Sequence, residues 1–380
     1  MFKTVADVRR HRGSKVLGLV LVASAACGAA PGGDSRSVPG PIAAPTAGPE
    51  DDGRITAGDR AAVIAALTSA LDQYYVFPDK AAAIGKQLRA RQLAGSYDRL
   101  DRGQAFAQAV TGDLVAIAHD KHLEVRYLRE PVPATEAERS PAIDDEEAAE
   151  MRYVNHGVFE VRRMKFNLGY LNFNAFGRPV KVAGDKLGAA MRLLADTHGV
   201  IIDLRDCHGG DTDTVTLAES YFVPPNTHLV DLYERTTNTT EQARAAVDLA
   251  GPRYAADRPV FVLISENTAS GCEAFAYALQ ARKRATVVGS HSAGAAYFGG
   301  PRRLTEHFMA FVPVGRPIDP ITHGDWEGTG VIPTIAVPPG EAAVAAERAI
   351  LETIEPLERN GRRRAAMQKR LAELRAPAAP

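Results

Sequence analysis

The sequence predicts an α/β protein, with a mostly parallel sheet covered on both faces and a small helical domain ahead of it. Three observations carry this. Beyond about residue 150, short apolar runs alternate with helical stretches, and that alternation builds a parallel sheet. The runs themselves ("GVIID", "PVFVLI", "ATVVG") are nearly continuous in apolar residues, as strands buried on both sides must be. Upstream, from Thr56 to about Ala118, the apolar residues recur one helical turn apart instead, as Val63, Leu67 and Leu71 do.

The elements follow in chain order. Residues 1–30 read as a signal peptide: basic "VRRHRGSK", then "VLGLVLVASAA", too short to span a bilayer comfortably, then small residues. Cleavage after Ala25 fits the "ASA" pattern. Cys27 before Gly28 offers a lipoprotein acceptor instead, although Ser24 stands where such signals usually carry Leu. Either route exports the chain to a periplasmic or extracellular compartment, with membrane attachment only if Cys27 is lipidated. Residues 31–54, rich in Pro, Gly and acid, form a disordered linker. The helical domain spans 55–128, and the acidic, Pro-containing stretch 129–150 is a linker or solvated lid.

The α/β domain, 151–360, begins with "LGYLNFNAF" as an alternating strand. Helix "KLGAAMRLLADT", strand "GVIIDLRD" and helix "DTVTLAESYF" follow, then strand "PVFVLIS", helix "EAFAYALQARK" and strand "ATVVG". "RRLTEHFMAFVPVGRPID" reads as a hairpin on the same sheet and "EAAVAAERAILETIEPLE" as a closing helix. Residues 361–380 are a helical extension whose basic "RNGRRRAAMQKR" is a solvated face rather than a nucleic-acid patch. With 45 Lys and Arg against 46 Asp and Glu, no global field favours nucleic acid. Once the leader is gone only Cys207 and Cys272 remain, too few for a disulfide scaffold.

Chemistry concentrates at "NTASGCEAF", residues 267–275, where a strand gives way to a helix. Ser270 and Glu273 have the spacing of a capping box, and from that spacing alone a helix cap is the favoured reading. The same place suits a nucleophile. Active sites of α/β sheets form beyond the carboxyl ends of strands, and a helix N-terminus presents free N–H groups to an oxyanion. Gly271 would let a backbone N–H approach closely. Other segments supply the missing groups: Gly209 and Gly210 after "IIDLRDCH", His122 in "AHDKHLEV" as a general base, and Glu327 in "HGDWEGTG" as its carboxylate. Singly each is weak, His122 reading as a half-buried histidine and Glu327 as a loop acid. "DTDTV" (211–215) imitates a phosphoryl-transfer aspartate motif but lacks an apolar strand directly before it. His119, Asp120 and His122 lack the helical or cysteine context of a zinc site, so neither metal nor cofactor is expected.

Together and in order, these segments resemble the serine peptidases of the C-terminal-processing and tricorn type, most closely the branch with the interphotoreceptor retinoid-binding modules. The resemblance runs from about 56 to 350, through "YVFPDKA", "DKHLEV", "NHGVFEV", "VIIDLRDCHGG", "VLISENTASGCEAFAYALQARKRATVVGSHSAGAA" and "DWEGTGVIPTIAV". It implies a crotonase/ClpP-like α/β domain, with Ser270 as nucleophile and an oxyanion hole from Gly271 and one of Gly209 and Gly210. The lysine of the tail-specific branch is replaced by Ala295, which implies a Ser–His–Glu set of Ser270, His122 and Glu327. The substrate would be a peptide or unfolded protein; the alternative is a non-catalytic protein binding an apolar, retinoid- or lipid-like ligand. Cys207 replaces the family's usual Asn, His208 precedes the glycines, and Lys121 sits where the tricorn-like set has a hydroxyl. A cation beside His122 disfavours its protonated form unless Asp120 or Glu327 compensates. Because Cys207 and Cys272 both flank the implied oxyanion donors, they are either bridged or two separate buried thiols.

Overall fold

The computed structural model describes residues 53–132 and 145–375. The signal-peptide reading with Cys27, nearly all of the 31–54 linker and most of the 129–150 segment lie outside the described residues.

Helix α1 (Ala57–Tyr74) starts at Thr56, whose hydroxyl accepts from the Asp59 N–H while Asp59 accepts from the Thr56 N–H. Val63, Leu67 and Leu71 are fully buried, as a one-turn spacing requires of a core-facing stripe. Helix α2 (Pro78–Leu93) opens on a proline in its first turn, and α3 (Gly103–Ala118) ends at His119 in the left-handed conformation, φ 55°. That reversal leads through Asp120 and His122 into β1 (Glu124–Tyr127). A helix α4 (Asp145–Tyr153) begins inside the stretch read as linker.

The larger sheet contains β2 (Val158–Arg163), β3 (Leu168–Phe173), β4 (Gly199–Asp203), β7 (Val260–Ile264), β8 (Thr286–Gly289) and β11 (Ile335–Ala336). Its order is β11-β8-β7-β4-β3-β2, all parallel except the β2–β3 pair. Helices α5 (Val180–Leu194), α6 (Thr212–Ser220) and α7 (Gly271–Ala281) follow β3, β4 and β7, and α8 (Ala342–Ile354) and α9 (Gly361–Arg375) close the chain. Val200, Ile202, Val262 and Ile264 belong to the main core with Leu187 and Phe275, whereas Ile201, Phe261, Leu263 and Val288 pack with Ile350, Leu351 and Met367. Both faces are covered, so alternate side chains of one strand enter different cores. For the same reason β3 does not alternate: five of its six residues are buried.

The hairpin of β9 (Phe298–Arg303) and β10 (Phe308–Ile318) is not on this sheet. It belongs to a second, antiparallel sheet with β1, β5 (His228–Glu234) and β6 (Thr239–Arg244), in the order β1-β10-β5-β6 with β9 on the free side of β10. The eleven-residue β10 is long enough to pair with β1 near one end and β5 near the other. A strand pattern specifies which face is buried, not which sheet the strand joins.

Phe106 of α3 is fully buried and meets Phe308 of β10 and Tyr97 edge-to-face at 5.8 and 5.6 Å. Phe106→Ala is expected to cost about 3–5 kcal/mol in urea unfolding. A loss below about 1 kcal/mol, the size of an ordinary surface change, would mean the helices do not share the sheet's core.

Candidate active site

Two strand ends of the parallel sheet, the turn after α3 and the antiparallel sheet meet around a cleft of about 770 Å³. The chain leaves β7 at Ile264 and enters α7 at Gly271, with Ser270 at the junction in an unusual backbone state, φ 52° and ψ −121°. A non-glycine residue held there costs roughly 1–3 kcal/mol, and such strain gathers where a side chain must be presented. An ordinary cap would have extended backbone instead. The S-x-x-E pattern forms the capping box that its spacing predicts, and within it the Ser270 N–H donates to Glu273 Oε2 at 2.8 Å.

Glu273 has no exposed surface. It also accepts from Ser292 Oγ (2.6 Å) and the N–H groups of Gly294 (2.6 Å) and Ala295 (2.9 Å). Burial raises its carboxyl, and these four donors act against that rise by favouring the anion.

After β4, the chain turns through Cys207 and the two glycines. Cys207 and Cys272 are joined by a disulfide with their Cα atoms 5.9 Å apart. Gly209 and Gly210 have φ of 116° and 146°. A Cβ on Gly210 would lie 2.2 Å from the Phe176 carbonyl oxygen, so only glycine fits. The Gly209 N–H donates to Cys272 Sγ at 3.0 Å. The N–H groups of Gly210 and Gly271 donate to no protein acceptor among the described residues. They adjoin one another, since a Cβ on Gly271 would sit 3.3 Å from the Gly210 nitrogen, and both residues line the cleft with Ser270.

His122 lines the same cleft from the opposite segment, its ring 5.9 Å from that of Phe311. Its Nδ1 is buried without a partner, which leaves Nε2 as the nitrogen available to the cleft. Burial pulls the imidazole down to about 4, so it is neutral at pH 7. One ring nitrogen of His122 and one carboxylate oxygen each of Asp120 and Glu327 lie within 4.8 Å of one another. Asp120 Oδ1 accepts the His122 N–H at 2.9 Å, and Glu327 Oε2 accepts from Ala296 (2.6 Å) and Tyr297 (3.3 Å). Asp120 Oδ2 and Glu327 Oε1 are buried and unpartnered. Burial raises Asp120 to about 6, and burial with the Asp120 charge raises Glu327 to about 7. These three residues are also the group able to hold a metal ion among the described residues.

Of the residues singled out in the sequence, Lys121, His122, His208, Gly210, Ser270, Gly271 and Ala295 line the cleft. Lys121 donates to the Ala293 carbonyl oxygen, and Ala295 meets the cleft beside Ala296. The sequence shows Glu273 as a capping residue, which it is, but not its further donors Ser292, Gly294 and Ala295, nor the burial of Asp120. Trp326 is a further contributor: its Nε1 donates to the Ala295 carbonyl at 3.1 Å and ties the Glu327 loop to the Ser292–Ala295 segment. No helix among the described residues is long and apolar enough to cross a membrane.

Residues 167–337 match the family model of peptidase family S41, and residues 58–161 match that of the N-terminal domain of the S41 peptidase in eukaryotic IRBP. Mature CPAF superposes with a TM-score of 0.52 at 12% identity, covering 78% of this chain and 97% of that one. A lipoprotein from Streptococcus agalactiae gives 0.51 at 12% identity, with coverage of 78% and 97%. At such identity the likeness is one of fold.

Titration of the unfolded, unreduced chain from 53 to 375 should find neither Cys207 nor Cys272 as a free thiol. Replacing both by serine should lower stability by up to about 4 kcal/mol, the chain-entropy value for a loop of this length. Two reactive thiols would refute the bridge.

Proposed function

The chain belongs to peptidase family S41, and on that premise we propose that it is an exported serine endopeptidase working through a Ser270 acyl-enzyme. The observation that carries this reading is the backbone of Ser270, held at positive φ with two undonated N–H groups beside it and His122 across the same cleft. The Ser270 hydroxyl attacks a peptide carbonyl while His122 Nε2 takes its proton. The oxyanion forms toward the N–H groups of Gly210 and Gly271, where one good donor is worth about 3–4 kcal/mol in the transition state. The imidazolium returns the proton to the leaving amine, and water, activated by the same nitrogen, releases the acyl group. The Gly209 N–H already donates to Cys272 Sγ, which supports Gly210 as the donor of the pair.

Glu327 sets the tautomer. His122 Nδ1 and Glu327 Oε1 are both unpartnered and close; an ionised Glu327 that took a hydrogen bond from Nδ1–H when substrate binds would leave Nε2 as the acceptor for the serine proton, and a protonated one would not. Asp120 adds a second negative charge that stabilises the imidazolium. Because the base is surrounded by carboxylates and Lys121 is engaged with Ala293, Ala295 in place of a lysine leaves His122 as the base. Among the apolar residues that line most of the cleft stand Lys121, Asp211, Asp213, Glu241 and Arg244, which offer a peptide charged partners that an apolar ligand could not use. A leader sequence together with a disulfide supports export to an oxidising compartment.

Ser270→Ala should abolish labelling by a fluorophosphonate probe and cleavage of an unfolded-peptide library, and His122→Ala should slow both by about 10²–10⁴-fold. Labelling that persists in Ser270→Ala would move the nucleophile elsewhere, and activity lost to EDTA would assign Asp120, His122 and Glu327 to a metal. The pH profile is a separate check. His122 is already neutral above pH 4, so labelling should instead rise as pH increases through about 6–7, where the raised Asp120 and Glu327 carboxyls ionise. Glu327→Gln should lower the plateau and move the rise to lower pH; an unmoved limb would take Glu327 out of the proton path.

A further inference from the structure

The cleft does not stop at Ser270. It continues between α6 and α7, where Gly271, Ala274 and Ala278 line it from one face of α7, and Val215 and Glu219, one turn apart, line it from α6. Beside the nucleophile the two helices touch, since a Cβ on Gly271 would lie 2.9 Å from Val215 Cγ2, and the space lined by Ala274, Ala278 and Glu219 lies further along them. Alanines at 274 and 278 leave the space between the helices open. From Gly271 to Ala278 the helix advances about 10 Å, the scale of a long side chain and a group to receive it.

Glu219 stands toward the far end. Only 3% of Glu219 is exposed, and its carboxylate oxygens are not among the fully buried atoms without a partner, which fits a carboxyl that reaches the cleft it lines. The nearby cation is already committed: Arg282 donates to Asp319 Oδ2 at 3.0 Å and to the carbonyl oxygens of His228 and Leu229 at 2.5 and 2.8 Å. Asp319, the other acid there, is satisfied by that arginine and by the N–H groups of Ile321 and Thr322. Burial pushes the Glu219 carboxyl up to about 8 against the pull of Arg282, with the Asp319 charge adding to the rise. A carboxyl almost wholly withdrawn from water is costly to ionise, and a cation arriving along the cleft would favour its charged form.

We propose that the passage between α6 and α7 receives the substrate side chain on the acyl side of the scissile bond, and that Glu219 selects lysine or arginine there. This rests on Ser270 being the nucleophile, with Glu219 as a specificity-determining residue that contacts substrate but not the reacting bond.

Two measurements test it. In a peptide series differing only at the acyl-side residue, lysine and arginine should exceed norleucine and glutamine by about 10–100-fold in kcat/KM, the range of a charge-assisted contact. Glu219→Gln should bring that ratio close to one, and Glu219→Asp should retain part of it. Taking the ratio within each variant cancels any difference in folded fraction. Cleavage without cationic preference, or a preference that survives Glu219→Gln, overturns the inference while leaving the peptidase reading intact. The second measurement needs no catalysis. Butylguanidinium should bind the Ser270→Ala protein about 10-fold or more tighter than neutral butylurea at pH 9, and the difference should shrink as pH falls through 8. Equal binding of the two, or a difference unchanged by adding Glu219→Gln, overturns the inference even if no peptide is cleaved.

Discussion

The Glu273 carboxylate is the constraint on which the site depends. Four donors converge on it from two segments that the chain separates by some twenty residues: the Ser270 N–H on one side, and Ser292, Gly294 and Ala295 on the other. A buried carboxylate tolerates ionisation only when its lone pairs are used, and here they are. The strained turn at Ser270 is thus held by a charged acceptor it cannot leave without exposing the others. From the Ser292–Ala295 segment the order passes on. Trp326 bonds Ala295, the Val331 N–H bonds Ser292 Oγ, and Glu327 takes the N–H groups of Ala296 and Tyr297. One rigid lattice fixes both the serine turn and the acid that faces the histidine.

The other half of the site comes from a different part of the fold. The left-handed residue at His119 ends α3 and turns the chain so that Asp120 is buried and His122 reaches the cleft. The low-dielectric setting then separates the titrations, with the imidazole pulled down and two carboxyls pushed up. Burial keeps the ring neutral, and it brings the two carboxyls, unlike the imidazole, closer to physiological pH than they would be in water. The long β10 strand keeps the two halves in register, since it pairs with β1 just beyond His122 and with β5 along the far wall.

The aspartates of "DTDTV" illustrate how a local pattern acquires its meaning. Asp211 caps α6, its carboxylate accepting from the Thr214 N–H at 3.0 Å, and Asp213 lines the cleft. Both acids owe their positions to the helix that follows the glycine turn. That helix also carries Glu219, so the turn that leaves the Gly210 N–H without a protein acceptor among the described residues also sets where Glu219 meets the cleft.

Local sequence determined the parts whose physics is local. Periodicity gave the N-terminal helices, the continuous apolar runs gave strands buried on both faces, and the Gly–Gly and S-x-x-E patterns located the two turns. It misjudged "LGYLNF" as alternating, because the number of covered faces is a property of the layers, and it put the β9–β10 hairpin on the wrong sheet. It left the β5–β6 hairpin unread, and it could not choose between bridged and separate cysteines, because the distance between two strand ends is set by sheet order. The far donors of Glu273 and the burial of Asp120 and Glu219 were equally hidden: each is an ordinary acid in one dimension. Only the folded chain decides which donors a buried carboxyl meets and which it lacks, since desolvation and hydrogen bonding depend on neighbours that lie far away along the sequence.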